Sequence, residues 1–160
     1  DRAGRPWSTV VTSSDAQATW MPTARERSAL ARQEHVQALG RVDQIWPWLK
    51  RHHGEVMAVD APHATHAERF SYRELADRIE RAAAAFVALG LRSGDVVGLF
   101  AENSPRWMVA DQGLMRAGAV DAVRGAAAPV EELRYILDDC GAVALVVQNA
   151  EIWRRLALPR

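Results

Sequence analysis

Two short apolar runs, VVGLF (96–100) and AVALVV (142–147), are each preceded by an amphipathic stretch that closes on a glycine. A run of that length with no polar alternation is the pattern of a strand covered on both faces. Strands that alternate with helices through short loops assemble most economically into a parallel sheet with right-handed crossovers. The predicted class is therefore α/β, with mostly parallel strands between helices.

The helices announce their own ends. Ser71 and Glu74 form a capping box in FSYREL, and Leu75, Ile79, Ala82, Phe86 and Leu89 mark one helical face behind it. Gly90 stands where a left-handed cap belongs, and LRSGD is a turn. Asn103-Ser104-Pro105 opens the next helix, with Ser104 as cap and Pro105 in the first turn; it runs to Ala117 and stops at Gly118. AVDAV (119–123) is a third strand and RGAAAP (124–129) a loop. Val130, Leu133, Ile136, Leu137 and Cys140 describe a third helical face, with Glu131 and Glu132 at the positive end of its dipole and Arg134 set to pair with Asp138. Gly141 caps that helix, and residues 150–157 start another.

Upstream the pattern is looser. Thr23 and Glu26 make another capping box, followed by a helix over 24–50 with a break at Gly40, a restart at Pro47 and an end at Gly54. VMAVD (56–60) reads as a short strand and 61–68 as a polar loop. Residues 1–22 carry no sustained period and are expected to be a disordered lead. Residues 23–160 are then expected to be a partial α/β subdomain. Because the chain starts with Asp1, its first residue is not expected to be a native start, with Met21 one candidate for it, and no secretory signal is visible.

With 160 residues, 49% of them hydrophobic, the chain suffices for one cored domain. Twenty basic residues balance 20 acidic ones, which argues against a dedicated nucleic-acid binder. No apolar stretch is long enough to span a bilayer. The single cysteine, Cys140, cannot form an intramolecular disulfide, so a reducing, cytoplasmic setting is expected. Arg25, Arg27, Arg32, Arg41, Lys50 and Arg51 would allow weak peripheral attachment to a membrane, but Glu26, Glu34 and Asp43 dilute that charge.

Candidate chemistry is sparse. Gly90, Gly94 and Gly98 lie between a helix and a strand, the wrong side for a dinucleotide loop. A phosphate lysine of the Walker type is excluded, since Lys50 is the only lysine and sits in a basic stretch expected to be solvated. His35, His52, His53, His63 and His66 have no convergent fourth ligand and read as surface residues. Cys140 continues a buried helical face and reads as packing rather than nucleophile. Glu131-Glu132 and Asp138-Asp139 read as helix-surface charges, and Trp46 and Trp48 around Pro47 as a helix corner or a partner surface. No catalytic, cofactor-binding or metal-binding residue can be assigned from these patterns.

From Phe70 to Val120 the chain resembles the adenylate-forming superfamily of acyl-CoA synthetases, luciferases and adenylation domains. The resemblance rests on Ser71, Tyr72, Glu74 and Leu75; Leu89 and Gly90; Gly94 and Asp95; Asn103, Ser104 and Pro105; and Ala117, Gly118 and Ala119, in order and spacing. PVEELRYILDDCGAVALVV resembles the next helix and strand of that family, so the likeness covers about residues 45–150. Arg124-Gly125, where a proline more commonly closes the strand, and IWPWLKRHHG (45–54) look like long-chain fatty-acid ligases and acyl–acyl-carrier-protein synthetases.

The resemblance implies an enzyme that activates a fatty acid with Mg-ATP and passes the acyl group to CoA or to a carrier protein's phosphopantetheine. It also implies that the family's phosphate loop, its nucleotide and magnesium residues and its lid lysine fall beyond Arg160. None of the family's catalytic residues is placed on this chain. The chain by itself is then expected to be inactive and its sheet incomplete, with AVALVV short of neighbours and the molecule prone to associate. Two alternatives stay open: a segment of an amino-acid- or aryl-acid-activating adenylation domain, and a non-enzymatic α/β module that binds a partner through its Trp-rich N-terminal helix.

Overall fold

The computed structural model describes residues 23–31, 39–63 and 68–158. The expected disordered lead, His35, His66 and most of the loop at 61–68 lie outside the described residues. The chain divides into two units, residues 1–39 and 40–160. In the first, helix α1 spans Ala24–Ala31, and the Thr23 carbonyl accepts the Arg27 N–H at 2.9 Å.

The second unit opens with a 3-10 turn at Val42–Gln44 and helix α2 at Ile45–His53. An antiparallel pair follows, β1 (Met57–Ala61) with β2 (Glu68–Ser71). Then come α3 (Tyr72–Ala88), β3 (Val96–Phe100), α4 (Pro105–Ala117), β4 (Val120–Arg124), α5 (Val130–Asp139), β5 (Ala144–Val147) and α6 (Ala150–Leu156). Strands β3, β4 and β5 form a parallel sheet in the order β4-β3-β5, with Gly98 level with both Ala122 and Leu145. This is the alternating parallel architecture that the apolar runs predict.

The capping signals at Ser71/Glu74, Ser104-Pro105 and Gly118 act as read. The Ser71 N–H donates to Glu74 Oε2 at 2.8 Å while the Glu74 N–H donates to Ser71 Oγ at 3.2 Å. The Ser71 N–H, and next its hydroxyl, both donating to Glu74 Oε2, hold the Glu74 carboxyl below the usual carboxylate range. Ser104 accepts the Trp107 N–H at 3.1 Å with Pro105 as the first helical residue, and Gly118 closes α4 at φ +82°.

The central strand separates two apolar clusters. Phe100 packs with Leu133, Leu137, Ile152 and Leu156 from α5 and α6. Val97 and Leu99 point to the opposite face by the two-residue period of a strand, and both are fully buried. Phe70, Leu75 and Ile79 form a second cluster with Trp46, Val59 and Met108. Two glycines permit close approaches between separate elements. A Cβ on Gly98 would stand 2.5 Å from Leu137 Cδ2, and one on Gly113 would stand 2.7 Å from the Ala82 Cβ, so α3 and α4 pack almost backbone to backbone.

The break expected at Gly40 is present, since Leu39–Arg41 is non-helical, but the restart is at Ile45 rather than Pro47, which puts Pro47 in a first turn where its missing N–H is no loss. Three further sequence expectations need correction. The hairpin strand β2 falls on residues assigned to the loop and to the next helix's cap; four residues, ERFS, are too short to show a period. Leu89 follows the last helical residue and is 82% exposed rather than on the buried face. Arg134 does not pair with Asp138; its Nε donates to the Leu156 carbonyl at 2.9 Å, tying α5 to the end of α6.

β5 is half-buried along its whole length rather than doubly covered. Among the described residues it pairs only with β3, so the sheet is not closed. An apolar groove of about 450 Å³ runs beside it, lined by Phe86, Leu89, Leu91, Val97, Val143 and Leu145.

Candidate functional site

In an open parallel sheet, ligands bind beyond the carboxyl ends of the strands, where neighbouring connections leave in opposite directions. Here that place lies between β3 and β5, since the chain leaves β3 for β4 on one side and returns to β5 on the other. Its rim is a closed set of hydrogen bonds. The Glu102 N–H donates to Gln148 Oε1 at 2.9 Å, and the Gln148 N–H donates to the Phe100 carbonyl at 3.0 Å. Glu102 Oε1 accepts the Ala127 N–H at 3.2 Å. Arg155 donates from α6 to the carbonyls of Ala126 and Ala128, both at 3.3 Å. Asn149 caps α6 by accepting the N–H groups of Glu151 and Ile152. The rim thus welds three strand ends together.

Its chemistry does not suit a phosphate. Gly125 is the only glycine in the turns that follow β3, β4 and β5, and the Glu102 carboxylate lies 3.2 Å from where its Cβ would be. A carboxylate already holds the N–H that an anion would need, and repels it besides. Mg-ATP, which the resemblance implies, does not fit these residues.

The sole lysine is engaged as well. Lys50 Nζ donates to Asp77 Oδ1 and is half-buried, where a solvated lysine was expected. That bond, more than any other effect, lowers the Asp77 pKa. Asp43 is buried and receives Arg41 through two bonds at 2.9 Å and Arg116 through one more at 2.9 Å. The Arg116 Nε also reaches Glu80 at 2.9 Å.

One carboxyl is strongly perturbed. Burial pushes the Asp111 pKa up to about 6, and a hydrogen bond shared with Asp121 of β4 adds to the shift. Gln112 donates to Asp111 Oδ2 at 2.6 Å and accepts the indole N–H of Trp46 at 2.7 Å. Trp46 is therefore a helix-corner anchor. Trp48 stacks on His52, with ring centroids 4.6 Å apart. His63 is exposed, and Cys140 is half-buried at the end of α5. Among the described residues no three His, Cys, Asp or Glu side chains converge as metal ligands. Sequence reasoning missed the Asp111–Asp121 pair because one member lies on a helix and the other on a strand, with no motif linking them.

The fold and these local motifs have relatives. The AMP-binding enzyme family matches residues 46–159, and the chain belongs to that family. It is 40% identical over 116 residues to probable acyl-activating enzyme 16, chloroplastic, of Arabidopsis thaliana, covering 72% of this chain and 16% of that protein. It is 37% identical, with the same coverage, to the Arabidopsis thaliana chloroplastic long-chain-fatty-acid–[acyl-carrier-protein] ligase AEE15. Among solved structures it resembles the N-terminal subdomain of Klebsiella oxytoca NpsA, with a TM-score of 0.62 and 25% identity over 69% of this chain and 28% of that one. The chain spans about a sixth of the length of the curated relatives it matches. Among the described residues no helix is long and apolar enough to cross a membrane.

Proposed function

We propose that this chain is the N-terminal α/β segment of an AMP-forming acid–thiol ligase that acts on long-chain fatty acids. The supporting observation is its 40% and 37% identity, over 116 residues, to an acyl-activating enzyme and to a fatty-acid–carrier-protein ligase. In the proposed reaction a carboxylate oxygen attacks the α-phosphorus of Mg-ATP, the bond to pyrophosphate breaks, and an acyl-adenylate forms. A thiol of CoA or of a carrier protein's phosphopantetheine then attacks the acyl carbon and releases AMP.

This segment's contribution is architectural. Its rim is welded by Glu102, Gln148 and Arg155, and its open β5 edge is available to continue the sheet. The nucleotide and the reacting acid are held by the rest of the protein. The half-buried lone cysteine suits a reducing compartment.

ATP–pyrophosphate exchange by the whole protein tests the reading. Palmitate should support exchange at least tenfold faster than a mixture of amino acids or of aryl acids. Exchange that follows the amino or aryl acids instead would replace it with the adenylation-domain reading, and a protein with no acid-dependent exchange would leave only a binding module.

A further inference from the structure

Three guanidinium groups meet at a half-open pocket of about 260 Å³ between β2, the first half of α3 and the start of α4. Arg78 and Arg81 lie three residues apart on α3 and so share a face. Arg106 reaches the same pocket from α4. Phe70, Pro105 and Val109 form an apolar wall, and Glu68 supplies the only carboxylate.

Charge is matched elsewhere around α3. Arg73 pairs with Glu55 at 2.8 Å, Arg116 with Glu80 at 2.9 Å, and Lys50 with Asp77. In the pocket the matching is looser. Arg106 comes only within 3.9 Å of Glu68, and among the described residues Arg78 and Arg81 form no close ion pair, although Glu74 and Asp77 act on them through space from one turn back on α3. Glu74 is bonded to the Ser71 cap and Asp77 to Lys50, so within the pocket lining three guanidiniums face the single carboxylate of Glu68, an excess of donors that suits a phosphate monoester near neutral pH.

The donors are partly pre-set. The Arg78 guanidinium carbon sits 3.9 Å from the centroid of the Phe70 ring. Stacking of this kind fixes the plane of the guanidinium and leaves its in-plane N–H groups free for an oxyanion. The cavity is smaller than the roughly 300–1,000 Å³ of drug-sized ligand sites, which suits a phosphate with a few carbons rather than a whole nucleotide.

We propose that this pocket binds the phosphate group of a small phosphorylated molecule, with Arg78, Arg81 and Arg106 as donors and Phe70, Pro105 and Val109 against its carbon body. The site does not depend on the acid-ligase reading and is separate from the Glu102 rim.

Titration of the chain with inorganic phosphate and with phenyl phosphate, at constant ionic strength and followed by amide NMR shifts, tests it. Saturable shifts should cluster at residues 68–81 and 105–109, with phenyl phosphate the tighter of the two. The double variant Arg78→Gln/Arg81→Gln should weaken phenyl phosphate binding at least tenfold, and Arg106→Gln alone should weaken it several-fold. The control Arg51→Gln/Arg154→Gln should leave it unchanged. Shifts that never saturate, a control that loses as much affinity, or acetate and benzoate binding as tightly as the two phosphates would each overturn the proposal.

Discussion

Asp43 and Arg116 lie 73 positions apart and bond at 2.9 Å, joining the entry of the second unit to α4. The carboxylate is only 8% exposed, and Arg41 closes its other side. Replacing one member of such a group strands the other charge, at a cost of about 3–5 kcal/mol when both are buried. Arg116 is one-third exposed, so the Asp43→Asn variant should lose about 2 kcal/mol in urea unfolding. Arg116→Met/Asp43→Asn should lose less than the sum of the single changes. Additive losses would show that the pair is not coupled.

Gly113 and Gly98 make opposite demands on their neighbours. A methyl on Gly113 meets the Ala82 Cβ, which cannot swing aside, whereas a methyl on Gly98 meets the tips of Leu137 and Leu145, which can. Gly113→Ala should therefore destabilise by about 2 kcal/mol even after the gain in helix propensity, and Gly98→Ala by about 1 kcal/mol. Thermal unfolding of the two variants checks the order. Gly98→Ala as the costlier change would contradict the packing described.

Asp111 makes stability depend on pH. Its pKa is raised to about 6, so between about pH 4 and 6 the folded chain holds a proton that the unfolded chain releases. Stability should fall as pH rises through that window. Because Asp111 is only partly buried, the loss should be on the order of 1 kcal/mol. Asp111→Asn should flatten the profile and be the more stable form at pH 7. An unchanged slope between pH 4 and 6 would refute this.

The open edge of β5 predicts association. Val143, just before β5, is 64% exposed beside Leu145 and Leu89, and β5 has β3 on one side and an open edge on the other, the arrangement that invites edge-to-edge pairing. Sedimentation velocity should show concentration-dependent self-association of the chain. Val143→Lys should weaken it at least tenfold, about 1.4 kcal/mol. A strict monomer across that concentration range would show that the groove is harmless.

What could be read from residue order was the part with local signals. Ser71/Glu74, Ser104-Pro105 and Gly118 each fix a helix end within a few residues, and VVGLF declares a central strand by its lack of polar positions. The resemblance at 71–119 then placed the chain in its family. The hairpin strand ERFS was hidden because four residues cannot display a period. The Asp77 partner of Lys50 and the Arg116 partner of Asp43 were hidden because they lie 27 and 73 residues away, and the Asp121 partner of Asp111 because it lies across a helix–strand contact. The arginine pocket escaped for the same reason: its donors come from two helices, and its stacking ring from a strand that the sequence did not reveal.

ATP–pyrophosphate exchange by the 160-residue chain itself, with palmitate and magnesium present, bears most directly on the account. The rim carries a carboxylate where a phosphate would sit, and Lys50 is bound to Asp77, so the chain should show no exchange above background. Palmitate-dependent exchange by this chain alone would mean that it contains a complete adenylating centre, and the architectural role assigned to it would be wrong.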